Sequence, residues 1–564
     1  MNRRLAACLA TLVTAAAAAQ QQPAPQAPQP AATTPPADND TSLRKLSPDE
    51  IPPNLSFYAM DPLHKPGMPL GWASEEIRER LDRGLVAAAA GDDRVHLSWR
   101  LLESDPPDVS FNLYRSDAAG TETRLNARPI VTTTDFVDTA AAGGQYTWRV
   151  AALVNGRETG ETAGRRTDTA IAAFKEIRLR DDVSSVDRVA IGDLDGDGHY
   201  DFVVKHPAGN IDPGRRVPSK NTYKIDGYNG RTGAFLWRID LGWNINHGIW
   251  FSPMVVRDLD GDGKAEVCLR TAPFAATREQ MFSPEKPFVL EGPEYLGVYS
   301  GETGREIDKV DWIERGEVTD WADRSGNRSS RHMMGVAYLD GKTPSVLVVR
   351  GTYGLMKVDA WMLHKGKLQK VWRWTNERAP FKYQGQGQHS IKVGDIDGDG
   401  ADEILNGSIA IDNDGRTMWG TGLGHGDRFY LSDIDPARPG LEVWYTIEDP
   451  HPRNGVSLWD ARPGTLLFGT TEATMDNQVA GGLAGDIDSS LPGMEVWGDK
   501  FFFSAGGDVL PGPVPPQNEL VWWDADLLRE IEDSNWISKW DWTTGSLVRL
   551  LTATGAAANN GSKA

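Results

Sequence analysis

The sequence predicts an all-β chain: a small N-terminal β-sandwich followed by a β-propeller. Three observations predict it. One aspartate-rich loop occurs three times, each time leading into an apolar strand. Hairpins with aromatic strands and Gly-containing turns alternate with those loops, and two such units per 40–65 residues fit four-stranded blades. Ahead of both, residues 92–172 carry short period-two strands separated by polar turns.

The first unit is expected over residues 44–172. Residues 95–100, 110–115 and 146–150 alternate apolar with polar, which makes Trp99 and Trp148 candidate core residues. A short helix over Glu75 to Leu85 is expected at its head. The propeller is expected over 173–564, with long insertions at 274–296 and 312–333.

The N-terminus reads as an export signal over residues 1–19. Arg3 and Arg4 precede an apolar run from Leu5 to about Ala16, and Ala17 to Ala19 offer small residues for cleavage. A Gln/Pro/Ala linker follows over 20–43. The apolar run is short for a membrane span, and no later run is long enough for one. A secreted or periplasmic protein is expected, as a monomer. Cleavage would leave Cys268 as the sole cysteine, so no intrachain disulfide is expected. Cys268 sits between Val267 and Leu269, as a buried, inert thiol would.

The formal net charge of −20 argues against nucleic acid as a partner, because phosphate binding needs a basic footprint. The acids are not spread evenly. They gather at Asp193-Leu-Asp195-Gly-Asp197-Gly-His-Tyr-Asp201, at Asp258-Leu-Asp260-Gly-Asp262-Gly-Lys-Ala-Glu266 and at Asp395-Ile-Asp397-Gly-Asp399-Gly-Ala-Asp-Glu403. Looser relatives are Asp433-Ile-Asp435 with Glu442 and Asp486-Ile-Asp488 with Glu495, and a degenerate copy is Tyr338-Leu-Asp340-Gly. Aspartates at loop positions 1, 3 and 5 of a tight Gly-containing turn converge on one point. A carboxylate at position 9 is placed to close the cage. Such all-oxygen coordination suits Ca2+. An EF-hand would need a Glu at position 12, where these loops carry Val204, Leu269 and Asn406. The cages read as structural.

A second set differs in kind. His389 follows Gly385-Gln-Gly387-Gln, Gly424 and Gly426 flank His425, and Asp427 comes next. Glu448 ends the strand that begins at Trp444. The glycines imply close backbone approach or unusual φ/ψ. The four side chains read either as one metal site or as separate hydrogen-bonded turn residues.

These segments carry a resemblance. From about Leu81 to the last residue the chain resembles the bacterial rhamnogalacturonan lyases. Asp82-Arg-Gly-Leu-Val, the 258–267 loop, Gly326-Asn-Arg, Gly335-Val-Ala-Tyr-Leu-Asp-Gly, Thr421-Gly-Leu-Gly-His-Gly-Asp and Asn559-Asn-Gly carry it. The resemblance implies an eight-bladed propeller with several calcium ions. It implies β-elimination on an acidic plant polysaccharide, at the rhamnosyl-α-1,4-galacturonate bond. It assigns an active-centre calcium to His389, His425, Asp427 and Glu448, and rhamnose contacts to Asn560, Gly561 and Ser562, with Ser in place of Thr. As metal ligands the two imidazoles would be poor bases, so Lys357, Lys382 and Tyr383 stand as alternatives.

Two departures from the family pattern bear on activity. Asn246, Trp250 and Pro253 stand where the family carries Arg, His and Gln, and Leu355 stands where it carries Arg. A different rhamnose–uronate polymer or weakened activity is expected from that. Family members also continue well past Asn-Asn-Gly, whereas this chain stops three residues after Gly561, so closing strands are expected to be missing.

Overall fold

The computed structural model describes residues 76–554 and the strand Leu5–Ala7, leaving out 91–93, 103–104, 140–144, 162–164, 169–174, 182–185, 210–211, 216, 288, 378–382, 475–480 and 525. Most of the expected leader, the linker, Lys382, Asn560, Gly561 and Ser562 therefore lie outside the described residues.

Alternation builds the N-terminal part. Val95–Ser98 buries every second residue and pairs with Val86–Ala89 and Asp135–Asp138 in a three-stranded antiparallel sheet. A five-stranded sheet faces it, centred on Ser110–Ser116 and Gln145–Val154. Leu97, Trp99, Phe111, Leu113, Trp148 and Val150 fill the core between them, as expected for both tryptophans. Trp148 is only 1% exposed. Its indole N–H is satisfied at depth by Asp138, 2.8 Å away, which also accepts from Arg115.

The helix expected at the head of this part does not form over the described residues 76–85. The N–H groups that a helix would use internally go elsewhere. Ile77 donates to Lys342 O at 2.9 Å and Asp82 to Gly198 O at 3.0 Å. Glu79 accepts from the backbone of Asp193. The segment is thus tied to two loops of the following sheets, and tertiary bonds override its helical pattern.

From residue 188 onward, seven antiparallel sheets follow one another among the described residues, spanning 188–240, 254–311, 332–375, 391–420, 428–469, 482–503 and 519–552. Six have four strands and the sixth has three, each traced in sequence order. The first strand of each sheet lies against the first strand of the next. Apolar clusters fill the layers between neighbouring sheets, as where Leu405, Ala410 and Trp419 of the fourth meet Phe429, Val443 and Tyr445 of the fifth. Cys268 is fully buried in such a layer, and burial pushes its thiol far up, which keeps it inert.

The repeat seen in the sequence has one place in this arrangement. Each acidic loop joins the first strand of a sheet to the second. Of the long connections, 272–294 joins the second and third strands of the second sheet, and 312–331 leads on to the third sheet and carries two 3-10 turns, Val318–Trp321 and Arg328–Ser330. No helix among the described residues is long and apolar enough to cross a membrane.

Candidate active site

The acidic loops fold as their glycines require. Asp193 accepts from the N–H groups of Gly196, Asp197 and Gly198, and Gly196 and Gly198 have φ of 78° and 84°. Asp258 and Asp395 bind their own loops in the same way. Position-1, -3 and -5 carboxylates bring ligand atoms within 4.8 Å of one another in all three loops. The position-9 acid accepts from the second loop residue: Leu194 to Asp201 at 3.0 Å, Leu259 to Glu266 at 2.9 Å, Ile396 to Glu403 at 2.8 Å. The looser loops repeat it, Ile434 to Glu442 and Ile487 to Glu495, both at 2.9 Å.

In the third loop Glu403 also shares a cluster with Asp397 and Asp412, and Asp412 was not singled out from sequence because it lies on the far turn of the next hairpin. Burial and the crowding of like charge push these carboxyls up: Asp201 to about 6, Glu266 to about 8, Glu403 to about 9 and Glu495 to about 7. Glu403 Oε1 and Glu495 Oε1 are buried without a hydrogen-bond partner. Converging carboxylates with orphaned oxygens are the donor set that a hard divalent cation satisfies.

A further loop of this type escaped the sequence reading. In the seventh sheet Trp523 donates to Glu530 at 2.7 Å, the same bond, with Asp524 and Asp526 at loop positions 3 and 5. Position 1 is Trp522, so the signature was broken. Here Lys539 places its Nζ 2.7 Å from Asp524, 2.5 Å from Asp526 and 3.2 Å from Glu530. Burial alone would lower the ammonium pKa, but the three carboxylates outweigh it and hold Lys539 well above its usual range.

The second set lies at the opposite end of the first strands. His389 precedes Ile391–Gly394 of the fourth sheet. His425 and Asp427 precede Arg428–Ser432 of the fifth, and Glu448 follows its second strand, Glu442–Thr446. A parallel bridge between Gln388 and Gly426 brings the two segments together. A Cβ on Gly387 would strike Thr352 O and one on Gly426 would strike Thr446 O, while Gly424 has a φ of 102°. Close approach and unusual backbone thus both occur, as the flanking glycines implied.

The four side chains come together. His389 Nε2 is 3.1 Å from Asp427 Oδ1, and His425 Nε2 is 3.0 Å from Glu448 Oε2. The two Nε2 atoms are 3.1 Å apart, and all four donors lie within 4.8 Å of one another. They act as one cluster rather than as separate turn residues. His389 and Asp427 form its buried floor, and His425 and Glu448 its more open side. Burial pushes His389 down to about 4, against the pull of Asp427, so the ring is neutral near pH 7 with a lone pair to offer. His425 turns its Nδ1 to Gly387 O.

Of the candidate bases, Lys357 is paired with Glu314 at 2.8 Å, and Tyr383 is buried in an apolar cluster with Met356 and Ile409. The tyrosine at the cluster is Tyr353, whose ring lies 4.4 Å from His425 and 5.9 Å from His389. Its signal was the segment Arg350-Gly-Thr-Tyr353, read only for its Leu355. Burial pushes the Tyr353 phenol up to about 12. Trp250, one of the departures, packs its ring edge-on to His389 at 4.9 Å. Asn246, another, is structural: it bonds Ser219 and Pro287 O and accepts from Val289 N–H.

Comparison with known proteins places this geometry. Residues 182–564 match the C-terminal domain of rhamnogalacturonan lyase family 11, and residues 76–167 match the β-sheet domain of rhamnogalacturonan I lyases. The rhamnogalacturonan endolyase YesW of Bacillus subtilis is 40% identical over 509 residues, covering 86% of this chain and 80% of its own. The exolyase YesX of the same organism is 36% identical over 524 residues, covering 86% and 84%. The crystal structure of YesW superposes with a TM-score of 0.78 at 39% identity, over 87% of this chain and 85% of that one. The Bacillus licheniformis rhamnogalacturonan lyase PL11 gives 0.75 at 37% identity, over 87% and 86%. With both parts matched, the chain belongs to the bacterial rhamnogalacturonan lyase family and is a polysaccharide lyase.

Proposed function

We propose that this lyase cleaves rhamnosyl-α-1,4-uronate bonds of rhamnogalacturonan by β-elimination, dependent on calcium, after export from the cell. The observation that carries this reading is the convergence of His389, His425, Asp427 and Glu448 within 4.8 Å. The same reading makes the seven sheets blades of a propeller. Their order and the contact of successive first strands support that. Further calcium ions would occupy the acidic loops, where they would tie the first two strands of a blade together.

A divalent cation held by the four side chains would draw charge from the substrate carboxylate and make the neighbouring C5 proton more acidic. The protein supplies the rest. Neutral His389 offers its Nε2 lone pair, and the carboxylates of Asp427 and Glu448 offset positive charge beside it. Burial keeps the proton on Tyr353 at neutral pH in the metal-free protein, so the phenol can donate a hydrogen bond there. Loss of the C5 proton and rupture of the C4–O bond leave a 4,5-unsaturated uronate on one product. The leaving oxygen, taken up with a proton, stays on the rhamnose of the other.

The test mixes the protein with rhamnogalacturonan and follows the ultraviolet absorbance of the unsaturated uronate. Absorbance should rise, stop when the protein is stripped of metal, and resume with calcium more than with zinc. A folded, calcium-loaded protein that gives no rise on any rhamnose–uronate polymer sinks the proposal. A rise that survives complete metal removal sinks its calcium half.

A further inference from the structure

The two imidazoles of the cluster are oriented by different means. His425 is fixed by a bond from Nδ1 to Gly387 O. His389 has a buried Nδ1 with no hydrogen-bond partner. A ligating imidazole is ordinarily aimed by a hydrogen bond at its other nitrogen. For His389 that device is missing: Asp427 engages Nε2, the nitrogen a cation would take, so on the Nδ1 side only packing holds the ring plane.

The packing is a closed circuit of five side chains. The Trp250 edge meets His389 with centroids 4.9 Å apart and planes at 64°. His389 meets His425 at 4.8 Å, and His425 meets Tyr353 at 4.4 Å. The Arg331 guanidinium lies 5.4 Å from the Tyr353 centroid and 4.7 Å from that of Trp250, which closes the circuit. Arg331 is itself immobilised. It is 2% exposed, with Nη2 2.8 Å from Asp212 and 3.0 Å from Asn327, and Nε 3.2 Å from Asn327. It comes from the long connection after the second sheet and Asp212 from a loop of the first, so two remote segments meet behind the cluster. A planar guanidinium can lie against two rings while its N–H fork holds Asp212 and Asn327, a geometry an ammonium does not reproduce.

We propose that Arg331 is a positioning residue: it clamps Trp250 and Tyr353 so that they hold the His389 ring plane toward the point where the four donors converge. This rests on the reading of that cluster as the active centre. The clamp acts on ring orientation, so it is legible in the protein before any metal or substrate is added.

The experiment records imidazole nitrogen signals of the full-length, metal-stripped protein, with His389→Gln to assign the ring. Wild type should give one sharp tautomer for His389. Arg331→Met should broaden or mix that signal and, per folded calcium-loaded molecule, lower kcat on rhamnogalacturonan by about tenfold or more. KM should stay within about threefold, since positioning acts on turnover. Arg331→Lys should not restore either readout. Wild-type signals and kcat in Arg331→Met, or restoration of both by Lys, overturn the clamp. Should Arg331→Met fail to fold, Tyr353→Leu opens the same circuit, and an unchanged His389 signal there overturns it equally. Wild-type protein inactive on rhamnogalacturonan would count against the proposed substrate alone, because the ring signals still decide the clamp.

Discussion

The acidic loops and the His389 cluster occupy opposite ends of the same strands, and they bury charge in opposite ways. Asp427 precedes Arg428–Ser432 and Asp433 follows it, so the two lie about 20 Å apart along the strand. At the loop end, carboxylates converge with few cations among them, and their pKa values rise. At the other end, each carboxylate meets an imidazole, 3.1 Å from His389 and 3.0 Å from His425. The loops are crowded acid that only a bound cation or protons relieve. The cluster is mixed, with neutral His389 at its floor. On the proposed reading, that difference separates a site that would hold the fold from one that would do the chemistry.

The separation is tested most severely by one substitution at each end. His425→Ala should cut kcat/KM by at least about a hundredfold, as loss of a group acting on the transition state does. It should leave the melting temperature near that of wild type, because His425 is on the more open side. Asp395→Ala should do the reverse. It strips the acceptor from the N–H groups of Gly398, Asp399 and Gly400, and should cost about 1–3 kcal/mol in a denaturant melt. Activity per folded molecule should stay close to wild type. Equal losses of activity from both variants would break the division of roles.

A pH series sharpens the same contrast. Asp201, Glu495, Glu266 and Glu403 have folded-state values of about 6, 7, 8 and 9, above the ordinary carboxyl values of 3.8 to 4.5. Between the ordinary and the raised values the folded chain binds more protons than the unfolded one. Their contribution to the stability of metal-stripped protein is therefore full below the ordinary values and lost as pH rises through the raised ones. A bound cation needs the ionised forms and should reverse the trend. Melting temperatures of stripped and calcium-loaded protein at roughly pH 5 and pH 8.5 should diverge with pH. Parallel curves would show that the loops hold no cation.

The two ends were not equally legible in the sequence. A loop cage is local: Asp193, Asp195 and Asp197 share one turn, so spacing alone places them together. The strand alternation around Trp99 and Trp148 was readable for the same reason. The cluster draws on residues from 389 to 448 in two sheets, joined by the Gln388–Gly426 bridge; its glycines hinted at the approach, and the family resemblance, not spacing, assigned the four side chains to one site. Tyr353 and Arg331 come from other segments: Tyr353 lay in the Arg350-Gly-Thr-Tyr stretch read only for its Leu355, and no local pattern marks Arg331. The helix expected near Glu79 failed because the N–H groups of its segment bond to loops 116 and 265 residues away.

The seventh sheet offers the smallest and most pointed test, because there the chain carries its own cation. The loop of Asp524, Asp526 and Glu530 keeps the backbone bond of the others but has Trp522 at position 1 and Lys539 among its carboxylates. If the other loops need a divalent cation, this one should not. Lys539→Met should destabilise the sheet by about 1–2 kcal/mol, less than a fully buried pair would lose because Lys539 is partly exposed. Added calcium should recover part of that loss in the variant and have no such specific effect on this sheet in wild type. Hydrogen exchange of Glu530–Asp533 and Trp536–Asp541 reads the sheet directly. Exchange there that responds to calcium removal in wild type as strongly as in the first, second and fourth sheets would mean that Lys539 does not replace the cation.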